Sequence, residues 1–295
     1  SFFVIKNLPQ DPELWYQKAM VSSERGQYSD AEKFLSNAVN ASKSQDPKYF
    51  VAMAKLQQDI IQQPGIPTAE IYDRQRRMLG VLNTALILDP NYVDAQQMLT
   101  DFYWELAIRG QLWREYVAEV DKLLKMKPDD AELYFRRGLI ESFLAAAVPG
   151  TYTEPAIADF RKAISLDPTN DQYWLGLINF HRRADRNDQA EETYLEALDQ
   201  NPADPNLLVQ YGDFLRLTGR TDEALEKIET AIAKAPQDAR GYLAKADFYM
   251  KQGDIEKTLQ ALAEAKRVDD TQYPIYYALT EIYNRQGKPD LAIES

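Results

Sequence analysis

Two residue types that often act as a nucleophile, a general base or a metal ligand, histidine and cysteine, are nearly or wholly absent from this sequence. The chain has one histidine, His181, and no cysteine, which excludes disulfides, thiolate metal sites and thiol nucleophiles. Carboxylates are the remaining candidates for general acids or bases, and no spacing of Asp and Glu indicates a catalytic pair. We therefore expect no catalytic residue, no metal site and no cofactor, and we interpret His181 as a core residue.

The charge balance limits the partners. The sequence has 46 acidic and 34 basic residues, giving a net charge of −12, which repels phosphate backbones and anionic lipid surfaces. Its glycines never cluster as a phosphate-binding loop requires. No stretch approaches the roughly 18 consecutive apolar residues that a membrane-spanning helix needs. We expect no nucleic-acid partner, and membrane contact only through a segment outside this sequence.

Three prolines recur at a fixed interval. Pro168, Pro202 and Pro236 are spaced 34 residues apart, and an alanine lies five residues before each of them. Proline lacks the N–H that would continue a helix, so each of these prolines ends one helix and begins a new unit. A 34-residue period indicates a repeat of two helices.

Small residues recur at the same interval. Gly219, Gly253 and Gly287 lie where the chain must turn between helices. Two antiparallel helices approach closely only where side chains are small, and aromatic residues fill the gaps beside these contacts. In these features the sequence resembles tetratricopeptide repeat (TPR) proteins, whose pattern is matched by Trp174, Gly212, Ala224, Ala231 and Pro236. The resemblance implies an all-α fold, a right-handed TPR superhelical solenoid of helix-turn-helix units.

The resemblance extends over nearly the whole chain. We divide residues 12–295 into about eight units: 12–45, 46–90, 91–128, 130–168, 171–204, 205–238, 239–271 and an incomplete unit, 272–295. Residues 1–11 precede this solenoid. Their apolar residues, Phe2 to Ile5, are either the remnant of a membrane anchor or signal segment, or a cap that packs on the first unit.

The pattern weakens in the second, third and fourth units. The segment Gln63 to Pro67 joins two longer helices, and an extended connection is predicted from Ala145 to Thr153. The third unit contains Trp104 and Trp113 but lacks the small residue that is usual where two helices cross. We expect the local geometry to deviate there.

The resemblance also predicts a binding surface. In TPR proteins the first helix of each unit lines a concave groove, which implies that exposed residues on these helices contact the partner. The candidate groove residues are Tyr16, Phe135, Asn179, Arg182, Arg183, Gln210, Asp213, Arg216, Leu243, Asp247, Tyr277 and Glu281. Their apolar groups suit the side chains of a protein or peptide segment, and their amides suit its main chain. The alternative is an ordinary solvated helix face.

Three arginines would place positive charge in the groove of an acidic protein. Arg182, Arg183 and Arg216 could bind a carboxylate-bearing segment. The alternative is that each of them pairs with a nearby carboxylate, namely Asp185, Asp213 or Glu223, and only solubilises the helix. Chaperone-binding TPR domains grip acidic tails with lysine and asparagine, but here only Asn179 fits that set, which counts against such a role.

These features predict a non-catalytic scaffold or adaptor for protein–protein interaction, which binds a partner segment in the groove. Two alternatives stay open: the periplasmic TPR scaffold portion of a bacterial polysaccharide secretion or envelope assembly system, and the regulatory or recruitment arm of a larger enzyme. The absence of cysteine and the apolar start favour the bacterial periplasm or cell envelope over the cytoplasm, although the localisation stays open. The incomplete unit 272–295 leaves an end through which the chain could self-associate.

Overall fold

A computed structural model describes residues 11–148, 150–288 and 290–291, and in these residues the chain forms fifteen α-helices and no β-strand. The predicted all-α fold is confirmed. The helices are α1 (Pro12–Glu24), α2 (Tyr28–Ala41), α3 (Pro47–Ile61), α4 (Thr68–Leu88), α5 (Val93–Ala107), α6 (Trp113–Met126), α7 (Ala131–Ala147), α8 (Thr153–Leu166), α9 (Asp171–Arg183), α10 (Asn187–Gln200), α11 (Pro205–Leu217), α12 (Thr221–Lys234), α13 (Ala239–Gln252), α14 (Ile255–Val268) and α15 (Tyr273–Arg285).

Side-chain caps explain where several of these helices begin. Asp11, Asp46, Asn170, Asp204 and Asp238 each accept a hydrogen bond from a backbone N–H in the following turn. In α1, α3 and α11 a proline follows the cap directly, at a position where its missing N–H would have had no helical partner. These five helices have odd numbers, and each is the first helix of a predicted unit; Asp254 caps α14, the second helix of its hairpin, in the same way.

Glycine sets the turn inside two of the hairpins. Gly219 and Gly253 have φ values of 85° and 79°, in the left-handed region that glycine adopts without a steric penalty. The next helix therefore starts within two residues, and a connection this short makes the two helices pack as neighbours. Accordingly α11 packs on α12 and α13 packs on α14.

The chain divides into two compact units, with the division after Ile140, inside α7. In the first unit α1 packs on α2, α3 on α4 and α5 on α6. Ala19, Ala31 and Leu35 of the first hairpin form a buried cluster with Leu56 of α3. The longest helix of this unit is α4, with 21 residues.

The second unit, from Glu141 onward, contains the hairpins α9–α10, α11–α12 and α13–α14. Its helices approach closely at glycine: a Cβ atom at Gly212 would lie 3.0 Å from the carbonyl oxygen of Ala224 and 3.0 Å from Cγ1 of Ile228. This contact confirms the predicted small residues where α11 and α12 cross.

One predicted connection is shorter in the structure. The sequence predicts an extended segment from Ala145 to Thr153, but α7 continues to Ala147 and α8 begins at Thr153. Leu144 and Ala145 are buried, so the apolar face of α7 continues through the residues that were assigned to the connection.

Other predictions stay open. Of the predicted lead segment, residues 1–11, only Asp11 is described; its apolar residues lie outside the described residues. The division into one solenoid domain with eight units, and its right-handed winding, stay predictions. Among the described residues, no helix combines the length and the apolar composition that crossing a membrane requires.

Candidate functional site

The twelve predicted groove residues all lie on odd-numbered helices, the first helices of the predicted units. Their helices are α1 for Tyr16, α7 for Phe135, α9 for Asn179, Arg182 and Arg183, α11 for Gln210, Asp213 and Arg216, α13 for Leu243 and Asp247, and α15 for Tyr277 and Glu281. None of the twelve is fully buried. The structure therefore leaves each of them at least partly accessible to a partner.

Three of these residues meet in the second unit. Asp213, Arg216 and Asp247 line a small cavity of about 70 Å³ between α11 and α13, next to Gly212. Arg216 Nη2 donates to Asp213 Oδ1 at 2.6 Å. For Arg216, the ion-pair interpretation is thus confirmed.

Arg182 and Arg183 differ from Arg216. Among the described residues, neither forms an ion pair with a carboxylate. The guanidinium of Arg183 lies over the ring of Phe143, 5.6 Å from its centroid. Arg182 lies near the buried hydroxyl of Tyr194, whose pKa burial raises to about 12 while the arginine opposes the rise. This hydroxyl has no hydrogen bond of normal geometry, so the charge of Arg182 is not neutralised there.

The carboxylates predicted as possible partners of these arginines interact with other side chains. Asp185 accepts from the side-chain amide of Asn187, at 3.4 Å, and Glu223 pairs with Arg220. For Arg182 and Arg183, the interpretation as arginines neutralised by a nearby carboxylate is therefore wrong. Within the part of the chain that the structure describes, two arginines without a carboxylate partner therefore lie in the last turn of α9.

The other predicted residues of the second unit are scattered. Gln210 Nε2 donates to Asn206 Oδ1 at 3.3 Å, and Glu281 pairs with Arg285. Asn179 is exposed. Tyr277 is 60% exposed, and its ring lies 6.2 Å from that of Tyr273, which is 74% exposed.

In the first unit Tyr16 lines a cavity of about 280 Å³ between α1, α3 and the start of α5. Lys48 Nζ lies 4.3 Å from the centroid of the Tyr16 ring and donates to Glu13 Oε2 at 2.8 Å. The hydrogen bond to Glu13 raises the pKa of Lys48. Burial raises the pKa of Asp59 in the same cavity, and Lys55 opposes this rise.

A larger cavity of about 680 Å³ lies in the first unit among α3, α4, α5 and the start of α7. We call it the methionine cavity. Its lining residues are Gln58, Ile61, Gln62, Gln75, Met78, Met98, Asp101, Phe102, Trp104, Glu105, Leu106, Arg109 and Arg136. None of them was among the predicted groove residues. The sequence signal that could have found this cavity is the departure from the repeat pattern around Gln63–Pro67 and Trp104.

His181 has the properties of a core residue. Only 4% of its surface is exposed, and its ring lies 5.8 Å from that of Phe180. Burial, with the charges of Arg186 and Arg161, lowers its pKa to about 4, so the imidazole is neutral near pH 7. No cluster of three or more potential metal ligands occurs among the residues that the structure describes.

Comparison with known proteins agrees with this geometry. A family model described as tetratricopeptide repeat matches residues 153–209 and 215–282, and a second model of the same description matches residues 193–226. No curated protein matches the chain.

Two solved structures are similar to the chain over nearly its whole length. A tetratricopeptide repeat protein from Parabacteroides merdae shares 16% identity, with a TM-score of 0.50, over 96% of this chain and 99% of that one. Yeast Tom70 shares 16% identity, with a TM-score of 0.54, over 100% of this chain and 61% of its own. At such identities the likeness shows the fold alone.

Proposed function

Because this chain is a tetratricopeptide repeat protein, we propose that it is a non-catalytic scaffold or adaptor that binds a carboxylate-bearing segment of a partner protein on the first helices of its second unit. The observation that carries the proposal is the pair Arg182 and Arg183, which have no carboxylate partner among the described residues. In a chain of net charge −12, two uncompensated cations on one helix end favour an anionic ligand.

Neighbouring residues support a peptide in this position. Asn179 lies on the same helix and is exposed, and Gln210 on α11 is partly exposed, so their amides are available for a main chain. Arg216 is already paired with Asp213, which leaves Arg182 and Arg183 as the anion-binding groups. Charge-assisted hydrogen bonds from a guanidinium to a carboxylate are roughly twice as strong as neutral ones.

The absence of catalysis in this proposal is supported by the state of His181. Its imidazole is buried and neutral, so it is not placed to exchange protons with a bound substrate. The periplasmic secretion or envelope scaffold and the regulatory arm of an enzyme are narrower versions of this role, and both stay predictions.

The test uses end-blocked peptides with two adjacent glutamates, or with two lysines in their place, and measures binding to the chain by fluorescence anisotropy. We expect the glutamate peptide to bind more tightly, and the double variant Arg182→Ala/Arg183→Ala to weaken its binding by about tenfold or more. Arg25→Ala/Arg76→Ala is the matched control, because both arginines are exposed and have no ion pair in the described structure. Equal affinity of the two double variants for the glutamate peptide would refute the proposal.

A further inference from the structure

The methionine cavity has an apolar floor that is ready to accept a side chain. Met78 is 6% exposed and belongs to a buried cluster, and Met98 and Phe102 pack against the same cluster while remaining partly accessible. Methionine is unbranched and polarisable, so a floor made of it adapts to apolar groups of different shape. The volume of about 680 Å³ falls within the roughly 300–1,000 Å³ range of ligand-binding pockets.

Three carboxamides line the same cavity without partners. Gln58 and Gln62 come from the end of α3, and Gln75 comes from α4. None of the three side chains makes a hydrogen bond within the described residues. A carboxamide offers both an N–H donor and a carbonyl acceptor, which is the complement of a peptide group.

The charges of the cavity are already compensated. Arg136 donates to Asp101 at 3.1 Å and to Glu132 at 2.7 Å, and its guanidinium lies 5.3 Å from the centre of the Trp104 ring. Arg109 lies 4.0 Å from Glu105. Each arginine of the cavity therefore has a carboxylate beside it, so the cavity has no unpaired cation that would favour an anionic ligand over a neutral one. Arg182 and Arg183, by contrast, have no carboxylate partner among the described residues.

We propose that the methionine cavity is a second binding site, which takes a neutral peptide segment with an apolar side chain. The apolar side chain packs on Met78 and Met98, and the glutamines bond to the main-chain amides on either side of it. This site is in the first unit and its ligand class differs from that of the arginine pair. It therefore goes beyond the function proposed above and stands or falls independently of it.

The probe is an end-blocked heptapeptide of serine with a central leucine, and binding is followed by isothermal titration calorimetry and by the NMR signals of methionine methyl groups. We expect the peptide to shift the methyl signals of Met78 and Met98 and to leave that of Met250, in the second unit, unchanged. Central serine, lysine or glutamate in place of leucine should weaken binding by about tenfold or more, because the apolar contact is lost or an uncompensated charge is buried.

The matching variants test the polar contacts. Gln58→Ala/Gln62→Ala should weaken binding of the leucine peptide by about tenfold, and both residues are exposed, so folding is expected to survive and is checked by circular dichroism. Gln17→Ala/Gln189→Ala removes two exposed glutamines elsewhere and should have no effect. Arg182→Ala/Arg183→Ala should also leave this binding intact, which separates the two sites.

Several outcomes would overturn the proposal. They are no binding of the leucine peptide up to millimolar concentration, equal affinity for the leucine and serine peptides, or an equal loss in both glutamine double variants. N-acetyl leucine amide is the final probe. If this single blocked residue binds as tightly as the heptapeptide, the cavity is a small-molecule site and flanking peptide groups contribute nothing.

Discussion

Two hairpins differ in the size of the side chains at equivalent positions where their helices pack: α5–α6 in the first unit and α11–α12 in the second. The fourth residue of the second helix is Ala224 in α12 and Tyr116 in α6, and both are fully buried. The eighth residue of the first helix is Gly212 in α11 and Thr100 in α5. Small residues let helices approach until their backbones touch, whereas large ones hold them apart.

The cavities beside the two hairpins also differ in size. Next to Gly212 the cavity has about 70 Å³. Beside α5 it has about 680 Å³, and Trp104, which lines it, packs against Tyr116 with their ring centres 5.4 Å apart. The larger cavity therefore lies beside the hairpin that departs from the repeat pattern.

The largest expected effect comes from filling the close contact of the second unit. A Cβ atom at Gly241 would lie 2.8 Å from Cγ1 of Ile232 and 3.3 Å from its backbone nitrogen. We expect Gly241→Ala to lower the free energy of unfolding by about 1–3 kcal/mol, because the helices α12 and α13 would have to shift. Urea denaturation followed by circular dichroism measures this change.

Gly80 in α4 is the matched control in the first unit. It is exposed, and a Cβ atom there would meet nothing within 4 Å. Gly80→Ala should therefore raise the free energy of unfolding by about 1 kcal/mol, the difference in helix propensity between the two residues. A loss of stability at Gly80, or none at Gly241, would contradict the difference in packing between the two units.

The repeat pattern made the regular hairpins predictable from the sequence. Ala224 and Gly219 each have one local role, at a helix crossing or in a turn, and such roles follow from residue type and spacing. The absence of a carboxylate partner for Arg182 among the described residues was not predictable, because ion pairing depends on which rotamers the neighbouring helices allow. The methionine cavity was missed because it takes side chains from four helices, and in the sequence it is indicated only by the departure from the repeat pattern around Gln63–Pro67 and Trp104.

Acidification affects the two units differently, because the second unit buries His181, whose ordinary pKa lies near neutral pH, whereas burial raises the already high pKa of Tyr116 in the first unit. His181 has a pKa of about 4 in the folded chain, whereas the ordinary pKa of histidine is 6.5. Between these two pH values the unfolded chain binds a proton at His181 that the folded chain does not bind. The free energy of unfolding therefore falls as the pH falls, by about 2 kcal/mol near pH 5.

Asp171 acts in the opposite direction. Burial and its hydrogen bond with Asp204 raise the pKa of Asp171 from 3.8 to about 6. Between these two pH values the folded chain binds a proton at Asp171 that the unfolded chain does not bind, so the contribution of Asp171 to the free energy of unfolding rises as the pH falls. We expect His181→Phe to gain stability relative to the parent on going from pH 7 to about pH 5, and Asp171→Asn to lose it. Urea titrations at several pH values measure both slopes, and parallel slopes in the three proteins would show that neither group is perturbed.

Removing the hydroxyl group from each of two buried tyrosines should change the free energy of unfolding only slightly, and in opposite directions. The hydroxyl of Tyr116 has no hydrogen-bond partner in the described structure, whereas that of Tyr211 donates to Glu191 at 2.8 Å. Tyr116→Phe should raise the free energy of unfolding by about 1 kcal/mol, because an unsatisfied buried hydroxyl is removed, and Tyr211→Phe should lower it by about 1 kcal/mol. Thermal or urea denaturation of both variants measures the signs.

Opposite signs would mean that the first unit tolerates a tyrosine where the second has alanine, at a cost in stability. The Tyr116 ring packs against Trp104, which lines the methionine cavity. Tyr116→Phe keeps that ring and should leave binding of the leucine peptide unchanged. If both variants instead lose stability equally, the Tyr116 hydroxyl has a hydrogen-bond partner, and the two hairpins do not differ in this respect.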